Sequence, residues 1–160
     1  MQKSIFGACI FSILFFFTPQ KDDDLQSLTE KSHQVLCLAK NVYFEAATES
    51  FEGKSAVAQI VMNRLNDPRF PKDVCSVVYQ NNGRVYQFSW TGMPQKKILN
   101  QFAWEESLYV AKKAMQGDIN HPALKDRNAL FYHADYVHPR WKLRKVAVIG
   151  RHIFYNEYRT

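Results

Sequence analysis

Two apolar patterns with the period of an α-helix lie almost end to end in this chain, and they limit its possible folds more than any other feature. Val35, Leu36, Leu38, Ala39 and Val42 make the first, and Ala56, Val57, Ile60, Val61 and Leu65 the second. Such spacing gathers each set on one helix face, which has to be buried against a core. The first helix is predicted from Leu28 to Ala47 and the second from Ser50–Glu52 through Leu65, where Asp67-Pro68 stops it. At about 100° per residue, Leu38, Val42 and Glu45 fall at nearly the same angle around the first helix. Glu45 is therefore expected at the border of the core-facing stripe, close to the helix end. Glu49 would stack one turn beyond it if the helix ran on. A carboxyl in that position is costly to ionise, so its pKa should rise toward the range of a general acid. The competing reading is a helix-end glutamate whose carboxylate simply reaches solvent.

The remainder of the chain predicts a mixed α+β plan in a single domain, with helices first and a small antiparallel β-hairpin near the C-terminus. A short apolar element spans Val74–Tyr79, a turn follows at Asn81-Asn82-Gly83, and Gln87-Phe88-Ser89-Trp90 reads as extended. A third helix is predicted over Gln101–Gln116, with Trp104, Leu108, Ala111 and Met115 on one face and Gly117 to end it. Two β-like runs close the chain, Ala129–His133 and Val146–Ile149, the second continuing past Gly150 into His152–Tyr155. The basic link from His138 to Lys145 makes them an antiparallel pair. With 160 residues, 46% of them hydrophobic, there is enough material for one core and too little polarity for disorder.

The N-terminus reads differently. Residues 1–20 carry Lys3 and then the apolar run Ile5–Phe17, shorter than the roughly 20 residues of a membrane span and typical of a signal-peptide core. A short signal anchor is the alternative. Residues 21–33 are expected to lead into a catalytic domain at 34–160. Export to the periplasm or cell wall follows, with membrane contact only through an uncleaved leader. Cys37 and Cys75 would then remain as an even pair in an oxidising compartment, expected to form a disulfide rather than two buried thiols. The formal charge of +6 suits an anionic polymer: nucleic acid, a membrane surface or bacterial cell wall.

Other chemistries are weakly supported. His133 and His152 lie in the late strands, and with His138 or Asp135 they would make a zinc set, but the spacing matches no metal signature. Neither metal nor other cofactor is expected. Ser89 lacks the glycine-flanked nucleophile elbow, and no glycine loop for phosphate is present. The basic run at Arg140–Lys145 with Trp141 in it raises nucleic-acid binding, which export argues against. Aromatic residues beside polar ones, as in Gln87-Phe88-Ser89-Trp90, equally suit stacking on sugar rings. Core packing is the competing reading for Trp90 and Trp141.

Several ordered motifs resemble one family. They are Asn41-Val42-Tyr43-Phe44-Glu45-Ala46 with Glu49, then Glu52 to Arg64, then Pro68-Arg69-Phe70-Pro71-Lys72-Asp73-Val74-Cys75. Gln87-Phe88-Ser89-Trp90, Tyr132-His133-Ala134 and Ile149-Gly150-Arg151-His152-Ile153-Phe154-Tyr155 complete the set. Over roughly residues 34–157 the chain is similar to the SleB-type cell-wall hydrolases, which include the spore-cortex-lytic enzymes. The resemblance implies a lysozyme-like domain that cleaves peptidoglycan glycan strands, with Glu45 matching the catalytic glutamate; a monomer is expected. Its better-studied relatives behave as lytic transglycosylases, cutting the MurNAc-GlcNAc β-1,4 bond. Substrate contacts are expected from Glu49, Tyr43, Gln87, Phe88, Ser89, Trp90, Tyr132, His133 and His152. The chain departs from the family where Ala47-Thr48 replaces a frequent Arg-Gly and where Tyr86 and Thr91 replace cysteines. The alternatives are a zinc-dependent N-acetylmuramoyl-L-alanine amidase using His133 and His152, and a non-catalytic peptidoglycan-binding protein.

Overall fold

The computed structural model describes residues 20–158 apart from Gln95 and Arg127, with side chains from residue 23 onward. Among the described residues the order is α1 (Gln20–Ala46), α2 (Phe51–Asn66), α3 (Val74–Val78), a 3-10 turn at Ser89–Gly92, α4 (Gln101–Gln116), α5 (Pro122–Lys125), β1 (Phe131–Ala134), β2 (Arg144–Ile149) and β3 (His152–Asn156). The expected signal segment, residues 1–20, lies outside the described residues except for Gln20.

The first helix begins at Gln20 rather than near Leu28. Asp23 and Asp24 lie near its start, where carboxylates favour the positive end of the helix dipole. The acidic run thus belongs to the start of a helix. Residues 21–33, expected as a separate leader, form the first half of α1 and are exposed from Asp23 to His33. No described helix is long and apolar enough to cross a membrane.

The central helix is α2, buried on two faces. Val57, Ala58 and Val61 join Leu38 and Val42 of α1, Val77 of α3 and Val110 of α4 in one cluster. Ala56 and Ile60 join Leu124, Val146, Ile149 and Phe154 in the other. Ile60, Leu124 and Phe154 are fully buried, and side chains of this size each stabilise by about 1.5–3 kcal/mol when removed from water. Helix ends follow local chemistry. The Ser50 hydroxyl accepts from the Gly53 amide at the start of α2, Asn100 caps α4 through the Ala103 amide, and Gly117 takes a left-handed φ of 82° at the end of α4. Cys37 of α1 and Cys75 of α3 form a disulfide, their Cα atoms 5.2 Å apart.

Two expected extended regions differ in the structure. Ser89 and Trp90 lie in the 3-10 turn, not a strand, because Trp90 turns inward to bury its ring. The C-terminal β region is a three-stranded antiparallel sheet in the order β1-β3-β2. The run from Val146 to Tyr155 does not continue through Gly150: the chain reverses there at φ 54°, and Ile149 pairs with His152. The β2–β3 hairpin leaves the other edge of β3 for β1, so β1 pairs with β3 rather than with Val146–Ile149.

Candidate active site

Register decides which late-strand residues can meet. Tyr132 lies opposite Phe154 and Ala134 opposite His152, so these four share one sheet face. His133 and Ile153 lie on the other. His133 is spent on that second face, its Nδ1 donating to the Ala134 carbonyl at 2.8 Å and its Nε2 accepting from the Tyr155 hydroxyl at 2.9 Å. A zinc ion shared by His133 and His152 does not fit this geometry. Among the described residues the one three-ligand cluster is His33, Cys37 and Cys75, and there the disulfide occupies both sulfurs.

The first face carries Tyr132 to Glu45. Glu45 is the penultimate residue of α1 and is partly buried. Its Oε2 accepts a hydrogen bond from the Tyr132 hydroxyl at 3.1 Å. Burial pushes the Glu45 carboxyl above its usual range, against the Tyr132 hydrogen bond and the positive charges of Lys96 and Arg64, which pull it down. Burial also holds the Tyr132 phenol well above its usual pKa, so it stays a neutral donor. His152 packs edge-on against Tyr132 with ring centres 5.1 Å apart. Burial lowers its pKa, and its buried Nδ1 has no hydrogen-bond partner among the described residues.

Arg64 and Lys96 were not legible as site residues from motif position. Arg64 is 4% exposed. Its Nε donates to the Leu130 carbonyl at 2.9 Å, and its guanidinium lies 5.3, 5.2 and 5.9 Å from the ring centres of Phe70, Phe88 and Phe131. Burial lowers its pKa to about 10, which leaves it charged at neutral pH. One signal was available: Arg64 follows Ile60 by four and Val61 by three, so it sits on the apolar stripe of α2, where a cation needs a reason to be buried. Lys96 lies 6.0 Å from the Phe44 ring centre, in a loop with no helical or strand pattern to place it.

Glu49 behaves otherwise. The helix ends at Ala46, so Glu49 does not stack on Glu45 but lies in the following turn. Its Oε2 accepts from the Arg151 amide at 3.2 Å. A Cβ on Gly150 would stand 1.9 Å from that oxygen, and one on Gly53 would stand 2.8 Å from the Glu49 Cβ. Glu49 is thus a joint between the helices and the β2–β3 turn.

The other expected contacts divide into lining and support. Tyr43 is buried and accepts from the Leu99 and Asn100 amides at 3.0 and 3.1 Å, tying down the approach to α4. Phe88 is buried under Tyr132 and Arg64. Trp90 is buried, with its Nε1 donating to Asn41 at 3.1 Å. Gln87 and Ser89 are exposed. Two hollows are lined by residues that neighbour Glu45. One of about 410 Å3 is lined by Lys40, Phe44, Trp90 and Lys96, and one of about 550 Å3 by Arg64, Gln87, Tyr132, Arg140 and Trp141. The arrangement can hold a protonated carboxyl beside an extended ligand, then hold the carboxylate that proton loss leaves.

Comparison with known proteins adds the following. The family described as Cell Wall Hydrolase matches residues 48–155, a span that begins after Glu45 and includes Glu49, Arg64, Tyr132 and His152. The chain is 27% identical over 125 residues to the spore cortex-lytic enzyme of Bacillus subtilis (strain 168), covering 77% of this chain and 37% of that protein. It is 30% identical over 127 residues to the spore cortex-lytic enzyme of Oceanobacillus iheyensis, covering 76% and 41%. The chain therefore spans well under half the length of these relatives. In structure it is similar to the crystal structure of the catalytic domain of the Bacillus cereus SleB protein, with a TM-score of 0.57 and 24% identity over 78% of this chain and 91% of that one. That likeness bears on the fold.

Proposed function

The chain belongs to the cell wall hydrolase family, and on that footing we propose that it cleaves the glycan strands of peptidoglycan, with Glu45 protonating the bond between N-acetylmuramic acid and N-acetylglucosamine. The observation that carries this reading is the half-buried Glu45 carboxyl, bonded to Tyr132, whose own side chain lines a hollow. Tyr132 engages Oε2, which leaves Oε1 to carry the proton toward the substrate. Burial favours the protonated form of the carboxyl. When the proton passes to the departing sugar oxygen, the carboxylate forms between Tyr132, Arg64 and Lys96, the same groups that oppose its protonation.

The charges acting on Glu45 are cationic, which suits a reaction without a second carboxylate as nucleophile. The muramoyl C6 hydroxyl would then attack its own anomeric carbon while the Glu45 carboxylate takes the hydroxyl proton. The product is a 1,6-anhydro ring, and Glu45 is left protonated for the next turnover. Export on the leader at residues 1–20 follows from the substrate, which lies outside the cytoplasmic membrane. The Cys37–Cys75 disulfide suits that compartment. No cofactor enters the scheme, and the protein would act as a monomer through its domain at 34–160.

Mass spectrometry of purified sacculi digested by the protein tests the reading. Muramoyl ends lighter by one water are expected. Reducing muramic acid would move the reaction to hydrolysis, and free stem peptides with intact glycan would overturn glycosidic cleavage.

A further inference from the structure

The basic run between β1 and β2 is unused by the chemistry above, yet it borders the active site. From His138 to Lys145 there is no acidic residue. Its Trp141 packs edge-on against Phe131, His133 and Tyr155, with ring centres 6.4, 5.5 and 5.9 Å away, which pins the run to the outer face of the sheet. Arg140 and Lys142 then line the hollow that also contains Arg64 and Tyr132. Both are exposed. None of the described residues lining that hollow is acidic.

Arg64 supplies an independent observation. It is 4% exposed, and its Nη1 is buried without a hydrogen-bond partner among the described residues. A buried guanidinium donor left unpaired is costly, and the fork of Arg is shaped for a carboxylate. We propose that this hollow is a carboxylate-binding subsite that recognises the acidic substituent on the muramoyl residue next to the scissile bond. This rests on the glycan-cleaving reading. The hollow reaches Glu45 through Tyr132, whose hydroxyl is on Oε2, so its ligand must be attached to the sugar being cut. The candidate groups are the carboxylates of the peptide stem and the lactyl carboxylate that remains when the stem is removed. A bound anion would also offset the pull of Arg64 on Glu45 and favour the protonated acid when substrate is present.

The test compares three substrates: native sacculi, sacculi whose carboxyls are amidated with carbodiimide and ammonia, and amidase-trimmed strands that keep only the lactyl carboxylate. The full chain should lose at least about tenfold in kcat/KM on amidated strands, the scale of losing close charge pairs. The double variant Arg140→Glu/Lys142→Glu, at exposed positions, should shrink the native-to-amidated ratio to within about twofold, with its melting transition monitored to confirm folding. Retained preference for trimmed strands over amidated ones assigns the lactyl carboxylate, and lost preference assigns the stem. Equal cutting of native, amidated and trimmed strands by the unmodified chain overturns the proposal, as does a double variant that keeps the preference. Duplex DNA bound more tightly than sacculi, through the same two cations, overturns it in favour of nucleic acid. If no glycan is cut at all, the glycosidic reading fails separately. Co-sedimentation of the Glu45→Gln variant with native and amidated sacculi then still reads the subsite.

Discussion

Glu45 and Glu49 are the same residue type four positions apart, and the structure treats them oppositely. Glu45 ends α1 beneath Tyr132, where burial raises its pKa and two cations hold it in balance. Glu49 lies past the helix end, where its carboxylate takes the Arg151 amide and fills the space left by Gly53 and Gly150. One carboxyl is held by a tyrosine hydroxyl that lines a hollow, and the other fastens the hairpin to the helices. Chemistry needs a proton that can leave, whereas a joint needs a charge that stays satisfied. Burial without full pairing gives the first condition, and a backbone donor gives the second.

That contrast is sharpest at Glu45 itself. Glu45→Gln should lower kcat by about 100-fold or more, the scale of a general acid, with circular dichroism unchanged. Near-normal lysis by that variant would break the comparison. Gly150→Ala comes next and should act on stability. A side chain at φ 54° costs about 1–2 kcal/mol, and the new Cβ must also displace the Glu49 carboxylate. Combining it with Glu49→Ala should recover part of that loss in a denaturation cycle; strict additivity would show that the two residues do not meet.

The pH dependence is a finer probe. On the proposed mechanism only protonated Glu45 is active, so kcat/KM should fall as pH rises through its elevated pKa. The Tyr132 hydrogen bond lowers that pKa, so Tyr132→Phe should move the alkaline limb to higher pH. A limb that stays put would remove Tyr132 from control of the acid. Stability follows the same linkage. Glu45 ionises less readily in the folded chain than in the unfolded one, so its favourable share is complete where both forms are protonated. That share is lost as pH rises through the folded value. The E45Q chain should therefore melt above wild type at neutral pH and level with it below the ordinary carboxylate range. Equal melting at both would argue that Glu45 is solvated. The smallest effect is expected from Glu49→Gln, which can still accept from the Arg151 amide and should keep activity within about threefold. A loss approaching that of Glu45→Gln would promote Glu49 to the chemistry.

Helical period placed α2 and α4 and put Glu45 beside the core, because burial of one face is written into spacing at i, i+3 and i+4. Asp67-Pro68 and Gly117 marked helix ends for equally local reasons, a missing amide proton and a permitted positive φ. The early start of α1 escaped notice because its first half is exposed and carries no buried stripe, only charges suited to a helix dipole. The sheet order was also beyond local signals. Whether Gly150 reverses the chain or continues a strand depends on what lies across from it, here Glu49 on another element. Partnership at the site is decided the same way. Glu45 and Tyr132 are 87 residues apart, and the pleat of β1 sends Tyr132 toward the acid and His133 away from it. A chain states which residues want to be buried or charged; which of them share one small volume is settled only when helices and sheet close on each other.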